Sequence, residues 1–206
     1  GINSVREMIT LSLELGIHAL TIYAFSQENW NRPTQEISAL MGLLEHYLST
    51  ERASLIEQGV RFRTIGRHEL LPPSAQHWIR TTEKETAHLD KLILTVALSY
   101  GGRAEIVDAV KKLVENVQAG TVQPSRIDET TIQQYLYTHP LQDPDLLIRT
   151  SGEARISNFL LWQLAYTEFF FTDELWPDFD AQALQHAIDS YHTRERRFGR
   201  TSDQLA

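Results

Sequence analysis

The sequence has no cysteine among its 206 residues. That excludes disulfide staples, zinc–thiolate centres and thiol nucleophiles, leaves an oxygen-ligated cation as the open metal chemistry, and fits a reducing cytoplasm. Positive charge is also scarce. The 19 Lys and Arg stand against 27 Asp and Glu, a net charge of −8. A protein whose main task is nucleic-acid binding needs a dense basic face, so that class drops out, although a local basic pocket does not. No apolar run approaches the roughly 20 residues of a membrane span, and nothing at the start reads as a signal peptide. The chain opens at Gly1 without Met, almost directly inside a helical pattern, as a piece of a longer protein would. Signature loops are missing as well: there is no GxGxxG, no GxxxxGK[ST] and no GxSxG, and none of the His residues falls in HxxxH or HExxH spacing.

What is present is an ordinary globular composition, 42% hydrophobic and 22% charged, enough for one domain with a full core. Val5, Met8, Ile9 and Leu13 recur at helical spacing, and Gly16 reads as the stop. Ile17 to Phe25 predicts a buried strand. A long amphipathic helix follows, with Thr34 as N-cap, Ile37, Leu40, Met41, Leu44, Tyr47 and Leu48 on its apolar face, and Gly59 closing it. Further strands are predicted at Val60 to Ile65, Leu92 to Tyr100, Leu146 to Arg149 and Glu168 to Thr172. Helices are predicted at Ser74 to His88, after Gly101-Gly102 up to Gly120, near Asp128 to Thr138, over Asn158 to Tyr166, and from about Ala181 to Phe198. Alternating strand and helix predicts an α/β fold with a parallel sheet covered on both faces. Ligands of such folds bind beyond the carboxyl ends of the strands, so polar residues should gather there. They do, at Ser26 to Arg32, at Gly101 to Arg103 and at Arg149 to Ser157.

Three clusters carry chemistry. In RTSGEARIS, residues 149–157, Arg149 and Arg155 flank a turn, with Ile156 and Ser157 beyond it. Two guanidinium forks and a hydroxyl beside a helix N-terminus suit a phosphate or diphosphate. The alternative is that Arg149 pairs with Glu153 and Ser157 only caps a helix. Glu168 lies between two apolar runs, where a carboxylate requires a partner. It either ligates Mg²⁺, pairs with an Arg, or lies on an exposed strand edge. The stretch YAFSQENWNRP, residues 23–33, puts Ser26, Gln27, Glu28, Asn29, Trp30 and Arg32 in one turn. Arg32 could reach a phosphate, Trp30 could wall off an apolar ligand, and Asn29 could position a proton, though an amide is a poor base. The alternative is a helix-entry loop with Trp30 in the core.

Taken together and in order, YAFSQENWNRP, LSYGGR, IRTSGEARISNFLLWQLAYTE, LWPDFD and RERRFG resemble the cis-prenyltransferases, the family of the undecaprenyl diphosphate synthases. The likeness covers essentially the whole chain. It implies a homodimeric α/β enzyme with an apolar tunnel that adds isopentenyl diphosphate repeatedly to an allylic starter such as farnesyl diphosphate, with Mg²⁺. It implies that Arg149, Arg155, Ile156 and Ser157 hold isopentenyl diphosphate and that Glu168 ligates Mg²⁺. Asn29 matches the position usually called the proton acceptor, with Ser26, Gln27, Glu28, Trp30 and Arg32 lining the substrate site. Arg197-Phe198-Gly199 matches an element that reaches the partner subunit's diphosphate site, so Arg197 and Gly199 join the binding residues. A lipid product makes peripheral contact with a membrane plausible.

The family pattern begins with a strand and a loop of the form DGNGRWA, whose Asp is the main catalytic carboxylate. The sequence opens at the helix expected to follow that loop, so the starter site is expected to be half built from these residues. Two other readings compete: a catalytically silent subunit, and a carrier that binds a diphosphate lipid without turning it over. All-helical trans-synthases need paired DDxxD motifs, which this sequence lacks.

Overall fold

The computed structural model describes residues 2–195. They form two compact units, one of residues 12–142 and the other of residues 2–11 with 143–195.

The larger unit is built on three strands, β1 (Ala19–Ser26), β2 (Val60–Ile65) and β3 (Leu92–Tyr100), in the order β1-β3-β2, both pairings parallel. β3 lies in the middle, and every one of its residues but Ile93 is buried. That is why its sequence is a nearly continuous apolar run rather than an alternation: both faces of a central parallel strand are covered. The pairing runs from Ala19 opposite Ile93 to Ser26 opposite Tyr100, with an irregularity around Phe25 that bends the end of β1.

Three helices complete this frame. α2 (Thr34–Gln58) joins β1 to β2, α3 (Pro73–Thr86) joins β2 to β3, and α4 (Gly102–Gln118) leaves β3. Leu48, Leu55, Phe62, Ile79, Leu92 and Leu94 are almost wholly buried and form the core. α2 ends where expected, at Gly59 in the left-handed region (φ 78°), but Pro33 rather than Thr34 is its N-cap. On α4, Glu105, Ala109 and Leu113 are buried, while Val107, Val110 and Val114 are exposed. A short α5 (Glu129–Tyr135) follows, capped by the side chain of Asp128.

The smaller unit pairs β4 (Leu146–Arg149) with β5 (Glu168–Phe171), again parallel, and α6 (Ala181–His192) packs on both. Met8 and Ile9 of α1 (Ile2–Glu14) are buried, and the Ser4 hydroxyl donates to the Pro177 carbonyl. The helix expected over Asn158 to Tyr166 is instead a run of turns. Ser157, Asn158 and Leu160 have φ of 49°, 61° and 43°, outside the right-handed helical region, and this breaks any i→i−4 ladder. The apolar periodicity that suggests a helix still has a cause, because Phe159, Leu160 and Leu164 are buried.

Candidate active site

The turn after β1 is a 3-10 segment, Gln27–Asn31. Its side chains are used first to build the turn. Asn29 Oδ1 accepts the Ser26 backbone N–H at 2.9 Å, while Asn29 Nδ2 has no partner among the described residues. With one lone pair of its carbonyl oxygen engaged, Asn29 has its two amide N–H groups left over as donors. The Trp30 indole N–H donates to Ser99 Oγ at 2.9 Å, and its ring meets Phe25 edge-on with centroids 5.0 Å apart. Arg32 pairs with Glu36 one turn into α2 at 2.7 Å, both about half exposed. Ser26, Gln27 and Asn29 are half-buried and Glu28 is exposed.

The end of β3 is the anchor of this turn. Ser99 is fully buried with φ 49°, and its carbonyl accepts the Arg67 N–H from the loop after β2. Tyr100 donates its hydroxyl to Glu105 Oε2 and accepts the Tyr23 hydroxyl on its carbonyl. Glu105 Oε1 takes the Tyr137 N–H at 2.8 Å. Arg67 grips Asp108 with two hydrogen bonds of 2.9 Å, and Tyr137 donates to the same carboxylate. Bonding to Arg67 holds Asp108 below the usual carboxylate range, and burial next to Asp108 pushes the Tyr137 phenol up. Gly66 has no alternative here, since a Cβ would lie 2.0 Å from the Leu98 carbonyl oxygen and φ is +119°. Sequence reasoning misses this anchor. Its signals are Ser99 inside LSYGGR and the polar pair Glu105 and Asp108 on a helix judged by its apolar residues.

In the smaller unit, Arg149 ends β4. Its half-buried guanidinium makes no hydrogen bond or ion pair among the described residues. The expected alternative partner, Glu153, pairs with Arg155 instead. Arg155 and Ser157 are exposed and Ile156 is half-buried. Because no helix follows, Ser157 is not at a helix N-terminus, and that part of the anion-site expectation is withdrawn. A left-handed pair, Ser157 and Asn158, turns the chain there.

Glu168 begins β5 opposite Leu146, while Arg149 lies opposite Phe171. Three residues of strand place the two about 10 Å apart along the small sheet. Glu168 Oε2 takes a 2.9 Å bond from Arg194, whose guanidinium also donates to the Phe169 carbonyl at 2.8 Å and to Ser190 Oγ at 3.5 Å. Of the readings open for Glu168, the pair with an Arg is therefore present, through a residue that the sequence presents only as part of a basic helix end. The other carboxylate oxygen has no partner among the described residues. Arg197 and Gly199 lie outside the described residues. No group of three or more His, Asp or Glu able to hold a metal occurs among the described residues. No helix there is long and apolar enough to cross a membrane.

Residues 1–199 match the Prenyltransf family model, described as "Putative undecaprenyl diphosphate synthase". The chain is 51% identical over 201 residues to a farnesyl-diphosphate-specific ditrans,polycis-undecaprenyl-diphosphate synthase of Salmonella typhimurium, covering 98% of this chain and 80% of that protein. It is 46% identical to an isoprenyl transferase of Geobacter sulfurreducens, covering 100% and 83%. Among solved structures, lavandulyl diphosphate synthase from Lavandula x intermedia, in complex with dimethylallyl diphosphate, superposes with TM-score 0.93 at 40% identity over 96% of this chain and 86% of that one.

Proposed function

The chain belongs to the undecaprenyl diphosphate synthase family, and on that premise we propose that it condenses isopentenyl diphosphate repeatedly onto an allylic diphosphate to build a long poly-cis prenyl diphosphate. The Salmonella relative is named for farnesyl diphosphate, and the same starter is proposed here. The family match runs through both units, which supports reading them as one catalytic domain. The observation that carries the site is Arg149, a half-buried cation at the carboxyl end of a parallel strand, free of any protein counter-ion among the described residues. An unneutralised guanidinium in such a place suits a polyanion.

In each cycle the C1–oxygen bond of the allylic diphosphate breaks and diphosphate leaves with the electron pair. The double bond of isopentenyl diphosphate attacks that carbon, and a proton departs from its C2. Arg149 grips the isopentenyl diphosphate, with Arg155, Ile156 and Ser157 closing round it. Arg155 exchanges its Glu153 partner for phosphate oxygens. Asn29 uses its spare Nδ2 donor to orient a diphosphate oxygen, and that oxygen or a water takes the proton. Ser26, Gln27, Glu28, Trp30 and Arg32 form the wall around it. Half-buried Leu40 and Leu44 on α2 offer an apolar path for the growing chain.

Mg²⁺ supplies charge neutralisation at the departing oxygens when bound. A single carboxylate completed by diphosphate oxygens and water is a normal Mg²⁺ site, so the free oxygen of Glu168 fits the ion even without a protein cage. Arg197 and Gly199 are proposed to serve the diphosphate site of a partner subunit in a homodimer, and the product brings the enzyme to a membrane surface. The deciding experiment is incorporation of radiolabelled isopentenyl diphosphate, with farnesyl diphosphate and Mg²⁺, into butanol-extractable product resolved by length. Long product that vanishes with EDTA is expected. Bound isopentenyl diphosphate without released diphosphate would point to an enzyme short of its starter-site loop, a silent subunit or a carrier, and restoring a DGNGRWA segment separates the first from the other two.

A further inference from the structure

We propose that Ser99 is a positioning residue that locks the substrate-binding turn by holding the Trp30 indole, and so tunes the turnover of the reaction proposed above, on which its catalytic consequence rests. Three observations converge on it. First, the Trp30 N–H donates to Ser99 Oγ at 2.9 Å across 69 residues of sequence, a side-chain bond that ties the turn to β3. Second, Ser99 is fully buried, so water cannot replace the hydroxyl if it is removed. Third, Ser99 has φ 49° and its carbonyl takes the Arg67 N–H, so the backbone that carries the hydroxyl is itself fixed from the neighbouring loop.

The bond completes a short chain of constraint. Phe25 at the end of β1 meets the Trp30 ring edge-on, and Ser99 takes its nitrogen. The ring is thus held at both its carbon edge and its polar atom. Asn29 is the neighbouring residue, and its Oδ1 is bound to the Ser26 N–H, which leaves Nδ2 with one direction to point. Losing the indole bond frees the turn on one side and lets that donor wander. A group misplaced by a fraction of an ångström lowers turnover more than binding.

The test compares Ser99→Ala, which is nearly isosteric, with Ser99→Asn, which keeps an acceptor on a residue type tolerant of the left-handed region. Trp30→Phe and the Ser99→Ala/Trp30→Phe double variant complete a cycle. Ser99→Ala is expected to lower kcat about tenfold with KM changed less than twofold, and Ser99→Asn to recover most of it. In the Trp30→Phe background the same change should cost little, because the bond is already gone. Fluorescence gives a readout that does not need turnover: Ser99→Ala should shift the indole emission, and the shift should vanish in the Trp30→Phe background. Faster amide exchange across residues 27–31 should accompany it. Unchanged emission and exchange overturn the lock. An equal loss of kcat in both backgrounds overturns Trp30 as the route. A chain that makes no polyprenyl product even with a DGNGRWA segment placed ahead of it overturns the assigned reaction and the tuning of it, while emission and exchange still decide the lock.

Discussion

The loop after β1 and the loop after β4 both follow the carboxyl end of a parallel strand, yet they are held in opposite ways. The first is tied to its own protein. Asn29, Trp30 and Arg32 each place a polar group on Ser26, Ser99 or Glu36. The second keeps its charges available: Arg149 has no partner among the described residues, and the bond of Arg155 is to a neighbour two residues away. A loop that shapes a wall must be rigid before the ligand arrives. A loop that grips a charged ligand holds its cations in reserve, because a cation already neutralised must lose one partner to gain another.

The sharpest way to break this contrast is Arg149→Met. If the guanidinium is reserved for substrate, the variant should lose about a hundredfold in kcat/KM, as expected for charge-assisted hydrogen bonds, with Tm unchanged or slightly raised. The check is steady-state kinetics on isopentenyl diphosphate beside thermal melting. A fall in Tm with kinetics preserved would make Arg149 structural and remove the distinction between the loops.

Legibility in the sequence follows the same division. Strands β2, β3 and β4 are legible to the residue: β3 as a buried apolar run between breakers, β2 as an alternation that buries Val60, Phe62 and Ile65 and turns Arg61 outward, and β4 as a short half-buried run ending in Arg149. The region 158–166 misleads, because burial of Phe159, Leu160 and Leu164 gives helical spacing whether or not the backbone is helical. Left-handed Ser and Asn residues leave no mark that a period can detect. Residue types at the candidate site are visible as crowded loops, but partners are not. Glu153, the alternative partner considered for Arg149, binds its near neighbour Arg155, and Glu168 finds Arg194 from 26 residues away. Pairing between residues far apart in sequence depends on tertiary approach. Only the match to a family carries roles across that gap.

The order of the first loop is inherited from the frame beneath it, and two residues sharpen that claim. Arg63 on β2 donates to three successive carbonyls, of Tyr137, Thr138 and His139, and burial lowers its pKa. Arg63→Met should cost about 2 kcal/mol of stability by removing a charged donor from three acceptors, measured by urea unfolding. KM for isopentenyl diphosphate should stay within twofold, since every member of this clamp belongs to the larger unit and the second loop's cations to the smaller. His68, in the loop after β2, has a buried Nε2 with no partner, and burial pushes its pKa below 6.5 against the pull of Glu83. The unfolded chain therefore takes up this proton first. The stability that neutral His68 preserves is present above about pH 6.5 and is lost as pH falls below it. His68→Gln should flatten that part of a stability–pH curve. An unchanged slope would locate the acid sensitivity elsewhere.

The smallest effect expected is also the finest probe of the second loop. Glu153 and Arg155 form an ion pair with the Arg side chain 65% exposed. A pair so open contributes about 0.5 kcal/mol or less, so Glu153→Gln should leave Tm within about a degree. Its consequence for binding has the opposite sign. Arg155 no longer has to leave a carboxylate to meet a diphosphate, and a negative charge near the incoming anion is gone. KM for isopentenyl diphosphate should fall about twofold, with the gain larger at low salt, where exposed charges are least screened. A rise in KM would mean that Glu153 holds Arg155 in its working position, and the second loop would then be tied to its own protein no less than the first.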